Sequence, residues 1–305
     1  MIGSDAAMFG RVMTAMITPF DDDLEVDFKA VERIVDHLVS TGTDSIVVAG
    51  TTGESPTLED YEKKELFKVV KASAGGRAKL IMGAGYNSTA RTVKACQEAE
   101  SWGADGLLVV APYYNKPSQE GLIAHFEAAA HATRLPLIVY NIPGRTGVNI
   151  SAETMVEIAR RAHTVCGVKD STGNLDQAAD IAARAREDFR LYSGDDYLTL
   201  PMLAVGACGV VSVASHLAGS QIQSMIKAYF DGKVDEARRI HYQYNPLFKG
   251  LFTAPNPTCV KYALSRLGLC RPHLRLPLLP LEGRQKEAMD ALLKQFPVSV
   301  KAATA

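Results

Sequence analysis

Short apolar runs alternate with amphipathic stretches over roughly the first 230 residues, and this rhythm restricts the folds open to the chain. The strand-like runs are Val12–Ile17, Ser45–Ala49, Lys79–Ala84, Gly106–Ala111, Pro136–Asn141, Val165–Lys169, Arg190–Ser193 and Gly209–Val213. An apolar run of this length, bounded by turn residues, reads as a buried strand. The stretches between them carry helical spacing. Phe28, Val31, Ile34, Val35 and Leu38 recur on one face behind Asp27, a good N-cap residue. Thr57 with Asp60 resembles the capping box of the next helix. Eight such units match a (β/α)8 barrel (TIM barrel), a fold of about 250 residues. A doubly wound open sheet has the same local pattern, so pattern alone leaves that alternative open.

Beyond about Asp231 the strand signals stop. Val234–Gly250, Pro257–Leu267 and Gly283–Gln295 read as helices, punctuated by Pro255, Pro257, Pro272, Pro277 and Pro280. The expected organisation is a catalytic-size barrel over residues 1–230 and a C-terminal helical extension over residues 231–305. A chain of 305 residues, 47% hydrophobic, is ample for such a core. Its net charge of −1 gives no reason to expect nucleic acid or an anionic membrane surface as partner. No window approaches the ~18 uninterrupted apolar residues of a membrane span, and the N-terminus lacks the pattern of a signal peptide. The cysteines Cys96, Cys166, Cys208, Cys259 and Cys270 are odd in number and scattered, as expected of reduced thiols in a cytoplasmic protein. There is no Cys-x-x-Cys, His-x-His or His-x-x-x-His spacing, so no zinc site is expected.

In a barrel the chemistry lies at the carboxyl ends of the strands and in the loops that follow. After the second strand comes Gly50-Thr51-Thr52-Gly53-Glu54-Ser55; after the fourth, Pro112-Tyr113-Tyr114-Asn115-Lys116-Pro117. The fifth ends in Tyr140-Asn141-Ile142-Pro143-Gly144-Arg145-Thr146-Gly147, the sixth in Lys169, and the eighth includes Val211. A lysine at the end of a buried strand is held partly out of water. Desolvation disfavours its ammonium form and favours a nucleophilic amine. Taken alone, Lys169 reads more readily as a surface residue at a turn, Tyr113 and Tyr114 as barrel caps, and Arg145 as a structural ion-pair partner. Their placement behind successive strands is what singles them out. Gly-Thr-Thr-Gly lacks the Gly-Lys-Ser/Thr ending of a P-loop. Asp195-Asp196 after strand seven would repel a sugar phosphate at a position that often binds one.

Gly50-Thr-Thr-Gly-Glu-Ser55, Tyr140-Asn-Ile-Pro-Gly-Arg-Thr-Gly147 and Gly167-Val-Lys-Asp170 resemble the motifs of the dihydrodipicolinate synthase family. That family belongs to the pyruvate-dependent class I aldolase group, which includes N-acetylneuraminate lyase. The resemblance runs from Thr14-Ala-Met-Ile-Thr-Pro-Phe20 to Arg275-Leu-Pro-Leu278, takes in Ser193-Gly-Asp-Asp196 and Ala254-Pro-Asn-Pro257, and is nearest the Gram-positive, Bacillus-like branch. One departure is Asp170, where the family usually has Glu after the lysine.

The resemblance implies a reaction between pyruvate and L-aspartate-4-semialdehyde through a Schiff base on Lys169, with no metal or organic cofactor. It implies Tyr140 as proton donor and acceptor, Thr51 and Tyr114 as partners in a proton relay, and Thr52 on the pyruvate carboxylate. Arg145 falls on the carboxylate of the second substrate and Val211 on a backbone contact to pyruvate. The residue matching Tyr114 reaches into a neighbouring subunit's site, so a tight homodimer, commonly paired into a tetramer, is expected. Sugar-acid aldolases of the same group share the lysine and the barrel, but vary at the positions of Thr51, Thr52, Tyr114 and Arg145. A non-catalytic ligand-binding barrel would not need the lysine, tyrosines and arginine together. The resemblance also implies weak or absent inhibition by lysine. Ser55, Asn87 and Tyr113 are kept at the effector cleft, but Asp60, Lys63 and Arg91 replace two histidines and the glutamate that pairs with the effector amine.

Overall fold

The computed structural model of the chain describes residues 8–298. In chain order its elements are β1 (Val12–Ala15), α1 (Phe28–Ser40), β2 (Ser45–Val48), α2 (Asp60–Ala74), β3 (Lys79–Gly83), α3 (Thr89–Trp102), β4 (Gly106–Val110), α4 (Gln119–His131), β5 (Leu137–Asn141), α5 (Pro143–Thr146) and α6 (Ala152–Arg161). They continue with β6 (Val165–Asp170), α7 (Leu175–Arg184), β7 (Arg190–Ser193), α8 (Thr199–Ala204), β8 (Gly209–Ser212), α9 (Ser215–Phe230), α10 (Val234–Gly250), α11 (Thr258–Arg266) and α12 (Arg284–Leu293). The strands pair in parallel, in chain order, as a closed barrel, which removes the open-sheet alternative. Among the described residues the chain is helical after β8, with four helices and no strand; residues 299–305 of the expected extension lie outside the described residues.

The chain divides into two compact units. One is Leu80–Val211 with the stretch ending at Arg11; the other is Val12–Lys79 with the stretch from Ser212 onward. In the first, β4 and β5 are buried along almost their whole length, as strands covered on both faces must be. A register shift between Leu137 and Ile138 absorbs one extra residue of β6, after which Tyr140 stands opposite Lys169 and Asn141 opposite Asp170. Gly167 is required by close approach: a Cβ there would overlap the Arg190 carbonyl.

In the second unit, α1 forms as its spacing predicts, except that Phe28 at its first position is exposed. The Asp27 carboxylate accepts the Ala30 N–H at 2.9 Å, and Val31, Ile34, Val35 and Leu38 are fully buried. The capping box of α2 differs from expectation: Glu59 and Glu62 form it reciprocally, while Thr57 closes a 3₁₀ turn over Ser55–Thr57. β1 and β2 are shorter than their apolar runs, one for a distant and one for a local reason. The N–H of Ile17 bonds the His216 ring instead of a neighbouring strand, and Ala49 takes a left-handed φ of 51° that ends β2. α10 packs on α9, and α12 packs on α10 and α11.

Candidate active site

In the first unit Lys169 occupies the penultimate position of β6, only 6% exposed. Its Nζ lies 4.1 Å from the centroid of the Tyr140 ring, which projects from the facing position of β5. The amine therefore rests on an aromatic face, with no ion pair among the described residues. One carboxylate, Asp195, feels its charge at longer range. Burial pushes the Asp195 carboxyl up to about 6; the positive charge of Lys169 opposes that rise, and Asp196 and Asp170 add to it. Burial also raises Asp170, against hydrogen bonds from the Thr172 N–H at 2.9 Å and hydroxyl at 2.6 Å. The Asp170 Oδ2 is buried without a partner. Aspartate in place of the family's glutamate thus leaves Lys169 at the strand end and closes a short turn with Thr172.

The loop after β5 is anchored beneath by the Asn141 amide, which donates to Asn149 Oδ1 and the Ile150 carbonyl at 2.9 and 3.0 Å. It then forms the single turn α5, ended by Gly147 at a φ of 76°. Arg145 rides on that turn, exposed and without an ion-pair partner among the described residues, so the structural ion-pair reading of this arginine does not hold. Tyr114 sits in the loop after β4 with its N–H on the Thr146 carbonyl at 3.1 Å. Its φ is 75° and its side chain is 87% exposed. A bulky residue in the left-handed region is an outlier costing on the order of 1 kcal/mol, and such strain concentrates at functional positions. Val211 is buried in β8.

In the second unit the loop after β2 folds into a tight turn. The Gly50 carbonyl accepts from the N–H groups of Gly53 and Ser55 at 3.0 and 3.3 Å, and the Thr51 carbonyl from that of Glu54 at 3.0 Å. Thr51 is half-buried. Thr52 is buried, and its hydroxyl oxygen accepts the Asn256 side-chain N–H at 2.9 Å. Glu54 is buried at a left-handed φ of 53° and pairs with Lys261, which is wholly buried. Sequence reasoning passed over Asp195 as a neighbour of Lys169, quoted Glu54 and Asn256 within motifs but gave them no role, and passed over Lys261. One signal was available: Lys261 interrupts the otherwise uncharged run Thr258–Leu264, where a solvated lysine has no place.

The five cysteines are unpaired; Cys96, Cys259 and Cys270 are buried, and burial pushes Cys96 and Cys270 up to about 12. Among the described residues no group of three or more His, Cys, Asp or Glu side chains is placed to hold a metal ion, and no helix is long and apolar enough to cross a membrane.

A parallel barrel whose sixth strand carries a buried lysine against a tyrosine ring fits the class of imine-forming lyases. The model of the Dihydrodipicolinate synthetase family matches residues 8–296, and the chain belongs to that family. It is 50% identical over 287 residues to 4-hydroxy-tetrahydrodipicolinate synthase of Listeria monocytogenes serotype 4a, an alignment covering 93% of this chain and 98% of the relative. This agrees with the Bacillus-like branch expected. The crystal structure of the dihydrodipicolinate synthase DapA-2 of Bacillus anthracis superposes with a TM-score of 0.92 at 42% identity, covering 95% of this chain and 99% of that one. The enzyme of Cyanidioschyzon merolae, solved with lysine bound, gives a TM-score of 0.92 at 46% identity over 94% and 98% of the two chains.

Proposed function

We propose that the chain works as a 4-hydroxy-tetrahydrodipicolinate synthase, with Lys169 as its nucleophile. The observation that carries this reading is the 6%-exposed Lys169 amine 4.1 Å from the Tyr140 ring centroid. The amine adds to the keto carbon of pyruvate and water leaves, giving a protonated imine. That imine draws electrons from the methyl carbon, a methyl proton departs, and an enamine forms. The enamine carbon bonds to the aldehyde carbon of L-aspartate-4-semialdehyde, whose oxygen takes up a proton. The substrate amine then attacks the imine carbon, closes the ring and releases Lys169. Tyr140 moves protons beside the imine, in relay with Thr51 and Tyr114. The Thr52 hydroxyl donates to the pyruvate carboxylate, and the Val211 backbone lines the same substrate. Arg145 holds the carboxylate of the second substrate with its planar fork; its exposure and lack of an ion-pair partner support that role over a structural one. The residue roles rest on family motifs.

Tyr114 supports a site shared between two copies. A tyrosine held out from the chain in a strained conformation gains its purpose from a partner surface. The working unit is then a tight homodimer, paired into a tetramer, in the cytoplasm.

The test is to incubate the protein with pyruvate and borohydride and map the product by mass spectrometry. A reduced pyruvyl adduct on Lys169, with loss of activity, is expected; an adduct on another lysine such as Lys116 overturns the assignment. Lys169→Arg should be nearly inactive, because arginine stays protonated and forms no imine. Turnover with aspartate semialdehyde and none with N-acetylmannosamine separates this reaction from that of the sugar-acid aldolases.

A further inference from the structure

Four charged side chains lie around Phe20 in the second unit, and no step above uses them. Lys261 is 0% exposed; its ammonium is ion-paired with the Glu54 carboxylate, donates to the His273 carbonyl at 2.8 Å and lies 4.0 Å from the centroid of the Phe20 ring. The other Glu54 oxygen accepts the Arg275 N–H at 3.0 Å. The Arg275 guanidinium forks onto Glu62 at 2.6 and 2.8 Å, donates to the Thr57 and Leu24 carbonyls, and lies 4.5 Å from the Phe20 centroid. Two cations and two anions therefore clamp the segment from Glu54 to Glu62 onto α11 and the chain after it. Stability alone is a poor reason for such a clamp, since well-packed apolar replacements of buried ion pairs are commonly neutral or stabilising.

The geometry points to a positioning role instead. Glu54 is the residue at which the turn bearing Thr51 and Thr52 leaves through a left-handed conformation. Asn256, two residues before α11, reaches the same turn and gives its N–H to the Thr52 hydroxyl oxygen. With that lone pair taken, the Thr52 proton is directed elsewhere and remains available to an anion. Asn256 keeps its own Oδ1 buried and unpartnered in this orientation, an expense that structure alone does not explain. We infer that Glu54, Lys261 and Asn256 are positioning residues that fix the Thr51–Thr52 turn and aim the Thr52 hydroxyl at the substrate carboxylate. This inference rests on the role given to Thr52 above.

Glu54→Gln/Lys261→Met tests it, because the pair is removed without leaving a lone buried charge, and the introduced amide keeps an acceptor for the Arg275 N–H. The pyruvate concentration that half-saturates borohydride trapping at Lys169 is measured, with KM for both substrates, kcat and the thermal midpoint. A purely structural role lowers the amount of active protein and leaves half-saturation alone. The expected result is a folded variant whose pyruvate half-saturation rises about tenfold or more, ~1.4 kcal/mol in affinity, while KM for the semialdehyde stays within about twofold. Asn256→Asp decides the matter independently, also where the double variant does not fold. It offers Thr52 only acceptors, draws the hydroxyl proton back, and should raise pyruvate half-saturation similarly, whereas Asn256→Ala should do so less. Wild-type half-saturation in folded Glu54→Gln/Lys261→Met, or in Asn256→Asp, overturns the inference. Absence of trapping in the wild-type protein would instead overturn the Schiff-base reading beneath it.

Discussion

His216 should make this protein lose stability in acid, and the size of the loss follows from its surroundings. The ring is 0% exposed at the start of α9. Its Nδ1 donates to the Val213 carbonyl at 2.8 Å, and its Nε2 accepts the Ile17 N–H at 3.2 Å. A proton on Nε2 would set two N–H groups against each other, so the native state holds the neutral tautomer. Burial accordingly pushes this histidine down to about 4 from 6.5, with the Val213 hydrogen bond opposing the shift and His37 reinforcing it. The unfolded chain binds the proton below pH 6.5 and the native state only near 4, so the stabilisation is complete above 6.5 and is lost as pH falls through that window. A separation of about 2.5 units is worth ~3 kcal/mol, a large share of a typical 5–15 kcal/mol stability. His125, also held down to about 4 by burial, acts in the same direction; Asp195, raised to about 6, acts in the opposite one, since its buried charge is relieved as pH falls. A comparison with His216→Gln isolates the one site. Urea unfolding followed by circular dichroism, at fixed protein concentration, should show the wild type losing ~2 kcal/mol more than the variant between about pH 7 and pH 4.5. Equal losses in the two proteins would falsify the neutral-tautomer argument, whatever the absolute stability of either.

Three further outcomes bear on the site. Arg145→Ala should raise KM for aspartate semialdehyde by about 10- to 100-fold, the worth of a charged hydrogen-bonded contact, and leave KM for pyruvate nearly unchanged; steady-state kinetics with equal effects on both substrates refutes the assignment. Tyr114→Phe and Lys169→Ala, each inactive alone, should recover activity when mixed if the tyrosine serves a neighbouring subunit's site; no recovery after demonstrated subunit exchange counts against a shared site. Free L-lysine at millimolar concentration should inhibit weakly or not at all. Arg91 brings a positive charge, stacked 4.5 Å from the Tyr86 centroid, to the position matched to the family's effector-pairing glutamate, while Asp60 already faces Lys63 at 4.0 Å. Like charges about 4 Å apart disfavour binding by ~1–4 kcal/mol, so strong partial inhibition abolished by Tyr113→Ala would show that the cleft survived these substitutions.

The parts legible in the sequence were those whose physics is local. Strand and helix periodicity reports which neighbours share a face, so all eight strands fall inside or within one residue of the runs that predicted them. The burial of Lys169 was legible because an apolar strand and a turn-forming segment flank it directly. Where a side chain from elsewhere intervened, local reading failed. Nothing around Ile17 announces that His216 will take its N–H and end β1. Nearer by, Glu59 displaced Thr57 at the start of α2, its carboxylate accepting the Glu62 N–H while the Glu62 carboxylate accepts the Glu59 N–H. The exposure of Arg145 and Tyr114 was equally hidden, since a strand-end loop reads the same whether it folds inward or out.

The buried charges around Phe20 show why such sites resist sequence reading most. Asn256 and Thr52 are 204 residues apart, and each has an ordinary local explanation: an asparagine before proline in a turn, a threonine among glycines. Lys261 alone breaks its local pattern, and even it names no partner. A desolvated ammonium must find opposite charge and hydrogen-bond acceptors within reach or lose its proton. Burial does pull Lys261 below its ordinary range, with Glu54 opposing the shift. A lone cation inside an apolar helix is therefore a statement that a complementary anion is folded against it. Of the acidic residues in the chain, the anion that meets it is the one closing the turn that presents Thr51 and Thr52. The oddest residue of α11 thereby leads back to the turn after β2, which a disturbance confined to stability would leave functionally intact and a loss of position would not.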